Sequence, residues 1–392
     1  MSAICNKSLS SATVSEPTFS VGTSAFLGIL MAIVILITVL GNALVILAFV
    51  VDKNLRHRSN YFFLNLAISD FIVGAFCIPL YIPYILTGKW PFGRGLCKLW
   101  LVVDYLMCTA SVFNIVLISY DRFLSVTKAV SYRINPGITS KAIAMMVAIW
   151  VFAFLLYGPA IIIWEYVVGC SIVPDKKCYA EFIYNWHLLL GASIFEFFTP
   201  LILVAYFNIQ IFRSIQNRLT TIPQELSESP KSKSQVRRLW CLLKEDASFS
   251  DSETEKSCST SGSQRHLSTS DRPRPSHLHS HTCETDPIGS FKVKTSHKLQ
   301  RDKKIAKSLA IIVCIFVICW APYSLLIIIF AACDGNCIKP YLYEISFWLL
   351  WLNSSVNPFL YPLCHVKFRN AFRKILCPYK RAESSPRPSV SF

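Results

Sequence analysis

The 392-residue chain is predicted to be an all-α membrane protein, a seven-transmembrane helix bundle with a short amphipathic helix after the last span. Hydrophobic residues make up 53% of the sequence and charged residues only 16%, against about 25% in ordinary soluble proteins. This composition excludes a water-soluble globule, a disulfide mini-protein and a disordered chain. Seven hydrophobic runs are each long enough for a bilayer core of about 30 Å. They lie at about 25–51, 61–85, 98–122, 142–164, 186–212, 305–331 and 342–363.

The distribution of Lys and Arg predicts the orientation in the membrane. Of the 39 basic residues, 32 lie in alternate gaps, namely 52–60, 122–141, 206–307 and the tail from 364. The N-terminus and the other three gaps together hold only 7. Because cytoplasmic loops are enriched in Lys and Arg, the N-terminus is expected outside and the C-terminus inside. The net charge of +16 is therefore a topology signal. The expected partner is the lipid bilayer, and nucleic-acid binding is not expected.

The sequence divides into five segments. They are an extracellular tail (1–24), helices one to five (25–212), a largely disordered third cytoplasmic loop (213–300), helices six and seven (301–363), and a membrane-surface helix with a cytoplasmic tail (364–392). The loop is rich in Ser, Pro and charge, too polar to offset its ordering entropy. Asn6 begins a sequon and is a predicted glycosylation site.

A short amphipathic helix is predicted after the last span. Residues 368–376 alternate apolar and basic faces with a period of 3.6, which is typical of a helix lying on a membrane surface. Cys377 follows directly and is predicted to carry palmitate, with a plain exposed thiol as the alternative.

Three acidic residues interrupt the hydrophobic runs, Asp70, Asp104 and Glu196. Such residues are costly in a membrane and usually functional. Asp104, Cys108 and Ser111 share one helical face, and the other runs contain no Lys or Arg that could pair with Asp104. Its natural partner is a protonated amine, while a buried interhelical acid is the alternative. Glu196 needs a donor or a second positive charge, unless water alone satisfies it.

Several motifs occur in a characteristic order. They are Asn42 after Gly41, NLAISD at 65–70, DRF at 121–123, Trp150, CWAPY at 319–323 and NPFLY at 357–361. With them the chain resembles the rhodopsin-like (class A) G-protein-coupled receptors, over about residues 25–378. Phe123 and Asn208 stand where that class usually has Tyr.

A narrower resemblance is to the aminergic members that bind histamine, of the third and fourth subtypes. It is carried by LWLVVDY at 99–105, FEFFTP at 195–200, FWLLW at 347–351 and YPLCH at 361–365. Residues 52–59 and Ser324 look like the fourth subtype. Ala192, Leu350, 164–166 and 178–181 look like the third, which is slightly favoured.

The resemblance implies a ligand site for histamine. An amine at one end and an imidazole at the other satisfy both Asp104 and Glu196, and imidazole protonation near neutral pH suits such a partner. The expected ligand-binding residues are Asp104, Tyr105, Cys108, Glu196, Trp320, Tyr323, Phe347 and Trp351. A receptor for another amine, such as acetylcholine, stays open, although a quaternary ammonium would leave Glu196 without a role.

The resemblance implies three further features. A sodium ion is expected at Asp70, Ser111, Asn353 and Asn357 as the sole metal, with a merely hydrogen-bonded Asp70 as the alternative. A G-protein switch is expected at Asp121, Arg122 and Tyr361. Disulfides are expected at Cys97–Cys178 and Cys333–Cys337, which leaves Cys5 and Cys170 to pair or stay free. The implied partners are a heterotrimeric G protein of the inhibitory class, arrestin and receptor kinases.

Other membrane-protein classes lack support in the sequence. An opsin would need a Schiff-base Lys in the seventh run, and residues 342–363 contain none. A transporter would be expected to show an internal repeat, and none is evident. A membrane enzyme would need metal-ligand or nucleophile motifs within the runs, so no enzymatic activity is expected.

Overall fold

A computed structural model describes residues 20–128, 132, 138–227, 287–333, 337–364 and 366–377. The helices of this part are numbered α1 to α8 in chain order. They are α1 (Val21–Val51), α2 (Arg58–Ile72, Val73–Cys77 and Ile78–Thr87), α3 (Gly93–Thr127), α4 (Ile138–Val168), α5 (Trp186–Ser193, Ile194–Phe198 and Thr199–Ser227), α6 (Pro287–Ala332), α7 (Pro340–Cys364) and α8 (Val366–Leu376).

The predicted seven-helix architecture is confirmed. In the described residues, α1 to α6 each contain a stretch long and apolar enough to cross a membrane. The 25-residue α7 is long enough but more polar, because it carries a buried patch of Asn and Ser at 353–357. Leu40 and Leu155 remain 64% and 61% exposed on the surface of the helices. Lipid is the medium that would cover such side chains.

Two helices are longer than the hydrophobic runs that predicted them. α5 continues to Ser227 and α6 begins at Pro287, so both extend into the segment 213–300 predicted as a largely disordered loop. Residues 228–286, on which that prediction mainly rests, lie outside the described residues. The helix bundle lies in the compact unit formed by residues 1–214 and 302–392.

Two helices contain a π-helical turn, and each turn comes just before a proline. In α2 the turn Val73–Cys77 precedes Pro79, and in α5 the turn Ile194–Phe198 precedes Pro200. Proline has no backbone N–H, and its ring clashes with the carbonyl four residues earlier. That carbonyl lies inside the turn in both helices, so widening the helix by one residue relieves the clash. Such turns often occur at functional sites.

Polar side chains connect the helices inside the bundle. The indole N–H of Trp150 on α4 donates to Asn65 Oδ1 on α2 at 3.0 Å. The amide of Asn65 donates in turn to Asn114 Oδ1 on α3 at 2.8 Å. Polar side chains in a membrane interior satisfy each other across helix interfaces, so these bonds fix the packing of α2, α3 and α4.

α1 and α7 approach each other closely. Thr38 and Ser355 share a hydrogen bond of 2.6 Å, and the Asn42 amide donates to the Ser354 carbonyl at 3.1 Å. A Cβ atom at Gly41 would lie only 2.9 Å from the ring of Pro358. The absence of a side chain at Gly41 therefore allows this contact.

The predicted amphipathic helix is confirmed as α8. Its buried residues Phe368 and Ala371 face the bundle, and the ring of Phe368 contacts that of Tyr361 at 5.8 Å. The ammonium of Lys374 lies 2.9 Å from the carboxylate of Asp52, which follows α1. This bond lowers the pKa of Asp52 below its ordinary value. α8 is thus fastened to the bundle by an apolar face and one ion pair.

Disulfides join loops at the opposite end. The predicted bridge Cys97–Cys178 is confirmed and links the start of α3 to the α4–α5 loop. Cys333 and Cys337 are bridged between α6 and α7, and Cys170 is also disulfide-bonded. Asn6 and Cys5 lie outside the described residues. We call the end of the bundle that carries the Cys97–Cys178 bridge the disulfide end, and the opposite end the α8 end.

We predict that Gly41→Ala destabilises the bundle, because the new methyl group would overlap Pro358. Overpacking of this kind costs about 1–3 kcal/mol, and so the melting temperature of the detergent-solubilised protein should fall by several degrees. Gly28→Ala on the same helix is the matched control, since nothing lies within 4 Å of its Cβ position. Equal melting temperatures for the two variants would contradict the close α1–α7 contact.

Candidate functional site

Asp104 lies in the interior of the bundle, on α3, with only 3% of its surface exposed. Its Oδ1 accepts a hydrogen bond of 2.9 Å from the indole N–H of Trp351 on α7. Cys108 is buried one helical turn further along α3. The thiol of Cys77 on α2 also hydrogen-bonds to this carboxylate. The carboxylate retains acceptor capacity beyond these donors, as a carboxylate has about four lone-pair sites.

Glu196 is held between three helices. The π-turn of α5 contains this residue, and its Oε1 accepts a hydrogen bond of 2.7 Å from the Thr109 hydroxyl on α3. Its Oε2 accepts from the hydroxyl of Tyr157 on α4. Thr109 follows Asp104 by five residues, a rise of about 7.5 Å along α3. The two carboxylates therefore occupy different depths of one interior.

Aromatic rings from α6 and α7 line the space beside Asp104. The ring of Phe347 lies 4.6 Å from that of Trp351 and 5.7 Å from that of Tyr323, measured between centroids. On the other side, Tyr105 lies 4.6 Å from Tyr157, the residue that donates to Glu196. Each carboxylate therefore has an aromatic donor, Trp351 or Tyr157, that belongs to a group of contacting rings.

Trp320 lies deeper in the bundle. Its ring is 6.0 Å from that of Phe316, which contacts Phe197 in the π-turn of α5 at 5.9 Å. Its indole N–H is buried without a hydrogen-bond partner in the described part of the chain. Trp320 therefore connects to the α5 wall through Phe316.

Asp70 forms a second buried polar centre. Its Oδ1 accepts from the hydroxyls of Ser111 at 3.0 Å and Ser354 at 2.8 Å, and its Oδ2 accepts from the Asn357 amide at 2.8 Å. Asn353 is buried on α7 but is not among these donors. The resemblance implied Asn353 as a partner of Asp70, whereas in the structure its neighbour Ser354 donates to this carboxylate.

The predicted switch residues lie near the α8 end. The Asp121 carboxylate accepts from Ser59 at 2.5 Å and from Tyr132 at 2.9 Å. The guanidinium of Arg122 lies 5.7 Å from the ring centroid of Phe63, and Tyr361 packs edge-on against the same ring at 5.0 Å. The Tyr361 hydroxyl is buried without a hydrogen-bond partner among the described residues. The structure therefore brings Arg122 and Tyr361 together through Phe63.

The α4–α5 loop is fastened to the disulfide end by more than its disulfide. The Glu181 carboxylate accepts from the Ser171 hydroxyl at 2.5 Å and from the Ile172 backbone N–H at 2.9 Å. The Trp90 backbone N–H donates to the Lys176 carbonyl at 2.7 Å. The Glu181 bonds thus hold the loop together, and the Lys176 bond joins it to the segment before α3.

Two contacts of Glu196 have no signal in the sequence. Thr109 and Tyr157 hold Glu196, yet a single hydroxyl in a hydrophobic run gives no periodic signal. The available cue was the position of Thr109, directly after Cys108 and five residues after Asp104 on α3.

A family model described as seven-transmembrane receptors (rhodopsin family) matches residues 41–361. The chain belongs to this family. The protein is therefore a receptor and not an enzyme, and a multi-pass protein of the plasma membrane. The DRF and NPFLY motifs that carry Arg122 and Tyr361 lie inside the matched region.

Curated relatives extend the comparison over nearly the whole receptor. The chain is 46% identical to the mouse histamine H4 receptor over 371 residues, covering 90% of this chain and 92% of the relative. It is 43% identical to the human histamine H4 receptor, with 94% and 96% covered. The chicken muscarinic acetylcholine receptor M2 is 28% identical, with 88% and 91% covered.

We predict that Trp351→Phe destabilises the unliganded receptor, because it keeps a ring but removes the donor to buried Asp104. Loss of such a donor costs about 1–3 kcal/mol, which should lower the melting temperature by a few degrees. Trp348→Phe, three residues earlier on α7, makes the same chemical change away from Asp104 and serves as control. If both variants melt alike, the Trp351–Asp104 bond contributes nothing to stability.

Proposed function

We propose that this receptor binds histamine between Asp104 and Glu196 and transmits the binding to a heterotrimeric G protein of the inhibitory class. The observation that carries the proposal is the pair of carboxylates, buried Asp104 and half-buried Glu196, at different depths of one interior lined by aromatic rings. The names of the relatives with 43–46% identity point to the same ligand.

The amine end of histamine is assigned to Asp104. A protonated amine and a carboxylate form a charge-assisted hydrogen bond, roughly twice as strong as a neutral one. The rings of Trp351, Phe347 and Tyr323 stand around this carboxylate. An ammonium close to such faces gains about 0.5–2 kcal/mol from each well-placed ring.

The imidazole end is assigned to Glu196. A neutral imidazole has one N–H, and an imidazolium has two, so either form donates to this carboxylate. The hydroxyls of Thr109 and Tyr157 hold Glu196 in place and can rotate when a ligand enters. Acetylcholine, the alternative ligand, has no N–H to donate and would leave Glu196 unused.

Signal transmission is assigned to the α8 end. A ligand shifts a two-state equilibrium only through different affinities for the two states. Arg122 and Tyr361 meet at Phe63, where a rearrangement would open a surface for the G protein, and arrestin and receptor kinases are proposed to bind the same end. The disulfide end then faces the outside, with Asn6 glycosylated there and Cys377 palmitoylated beside α8.

A sodium ion is proposed at Asp70. Hard cations prefer oxygen ligands, and the Asp70 carboxylate is flanked by the hydroxyl oxygens of Ser111 and Ser354. Either hydroxyl can turn its hydrogen away and present a lone pair, so the residues fit the ion. Asn357 would continue to donate to the carboxylate. The ion would supply the charge that this buried carboxylate lacks among its neighbours.

The experiment that tests the proposal compares histamine with acetylcholine in cells with a G-protein readout. The wild-type receptor should respond to histamine and not to acetylcholine. Asp104→Asn should abolish the histamine response at unchanged surface expression, because a charged hydrogen bond contributes about 1.5–3 kcal/mol. Unchanged histamine binding in this variant would overturn the assignment of the pocket.

We predict that Glu196→Gln lowers histamine potency about tenfold or more, since each 1.4 kcal/mol is one decade of affinity. The exchange keeps the size and hydrogen bonding of the side chain but removes its charge. A simple monoamine that reaches only Asp104 should keep its potency, which controls for misfolding. Equal losses for the two ligands, or none, would make Glu196 a structural residue.

A further inference from the structure

Another carboxylate, on α7 near the disulfide end, takes no part in the proposed histamine site. Glu344 is half-buried, and its two oxygens lie 3.3 and 3.2 Å from the hydroxyl of Tyr81 on α2. A phenol has one proton to donate, so it serves one of these oxygens at a time. Most of the acceptor capacity of Glu344 therefore remains unused.

No cation neutralises Glu344 in the part of the chain that the structure describes. The loop cation Lys177 donates instead to the Gly88 carbonyl at 2.8 Å, and its ammonium lies 5.8 Å from the ring centroid of Tyr84. Lys98 is bonded to Glu165 at 2.7 Å. These ammonium groups are engaged at the edge of the bundle and leave the carboxylate open to a cation from outside.

Aromatic rings surround the approach to Glu344. Tyr81 stacks on Trp100 at 5.2 Å with an interplanar angle of 4°, and lies 5.5 Å from Tyr84 and 5.4 Å from Phe347. A carboxylate among aromatic faces is the combination that recognises ammonium groups. The chemistry around Glu344 thus repeats that around Asp104.

The two carboxylates are connected along α7. Glu344 and Trp351 are seven residues apart and share one helical face, with a rise of about 10 Å between them. Tyr81 bridges the interval, because it contacts Glu344 through its hydroxyl and Trp351 through its ring edge at 5.3 Å. Trp351 in turn donates to Asp104.

We propose that Glu344 and Tyr81 form a second ammonium-binding subsite, and that an elongated diamine bridges Asp104 and Glu344. One ammonium binds Asp104, the chain passes along Trp351 and Phe347, and the other ammonium binds Glu344. The proposal rests on the amine-binding role of Asp104 given above. Histamine is too short to reach both Asp104 and Glu344 while also contacting Glu196.

The test measures binding to the purified full-length receptor by its thermal stabilisation. The probes are α,ω-diaminoalkanes of about six to ten methylene groups, chosen to span the rise of about 10 Å, and ω-aminoalcohols of the same lengths. The hydroxyl replaces one ammonium at nearly constant size. Glu344→Gln removes the carboxylate charge but keeps a partner for Tyr81. Asp175→Asn removes an equal charge from a 92% exposed side chain at the same end, and controls for general electrostatics.

In the wild-type receptor and in Asp175→Asn, the best diamine should bind at least tenfold more tightly than its aminoalcohol. In Glu344→Gln the affinity of the diamine should exceed that of the aminoalcohol by less than about threefold, since the second ammonium has lost its carboxylate. Equal advantages in all three proteins, or none in the wild type, would overturn the subsite. Histamine is measured beside them as a separate probe, so its failure to stabilise the wild type would count against the proposed function and not against Glu344.

Discussion

Carboxylates inside the bundle, buried or half-buried and held by neutral donors, are the interaction on which the rest of this receptor depends. Asp70, Asp104, Glu196 and Glu344 each accept hydrogen bonds from Ser, Asn, Thr, Tyr or Trp side chains on another helix. A buried charge without a counter-ion is costly, and neutral donors offset only part of that cost. Among the described residues, none of these four carboxylates has a positively charged partner. A cation bound as proposed would supply this charge.

These same hydrogen bonds connect neighbouring helices. Trp351 ties α7 to α3 through Asp104, while Thr109 and Tyr157 tie α3 and α4 to α5 through Glu196. A ligand that competes for either carboxylate must therefore change an interhelical contact. In the proposed site, ligand binding and helix arrangement would share the same atoms, which would be the physical basis for a signal that reaches the opposite end.

The sequence predicted the helices well, because a run of about twenty apolar residues has few other solutions in a membrane. It also placed Asp104 and Glu196 correctly in the interior, since charged residues in such runs face inward. It could not predict which donors meet them. Tyr157 and Glu196 are 39 residues apart, and Trp351 and Asp104 are 247 apart. Such pairs depend on helix rotation, which hydrophobicity alone does not determine.

The widened turns before Pro79 and Pro200 have a consequence for how relatives of this receptor are compared. One extra residue in a turn rotates everything before it by about 100° relative to an unbroken helix. Two receptors aligned without a gap at Pro200 can thus differ in the face on which Glu196 lies, if only one of them has the wide turn. Residues at the same position of the alignment then need not point in the same direction, and ligand selectivity depends on the direction.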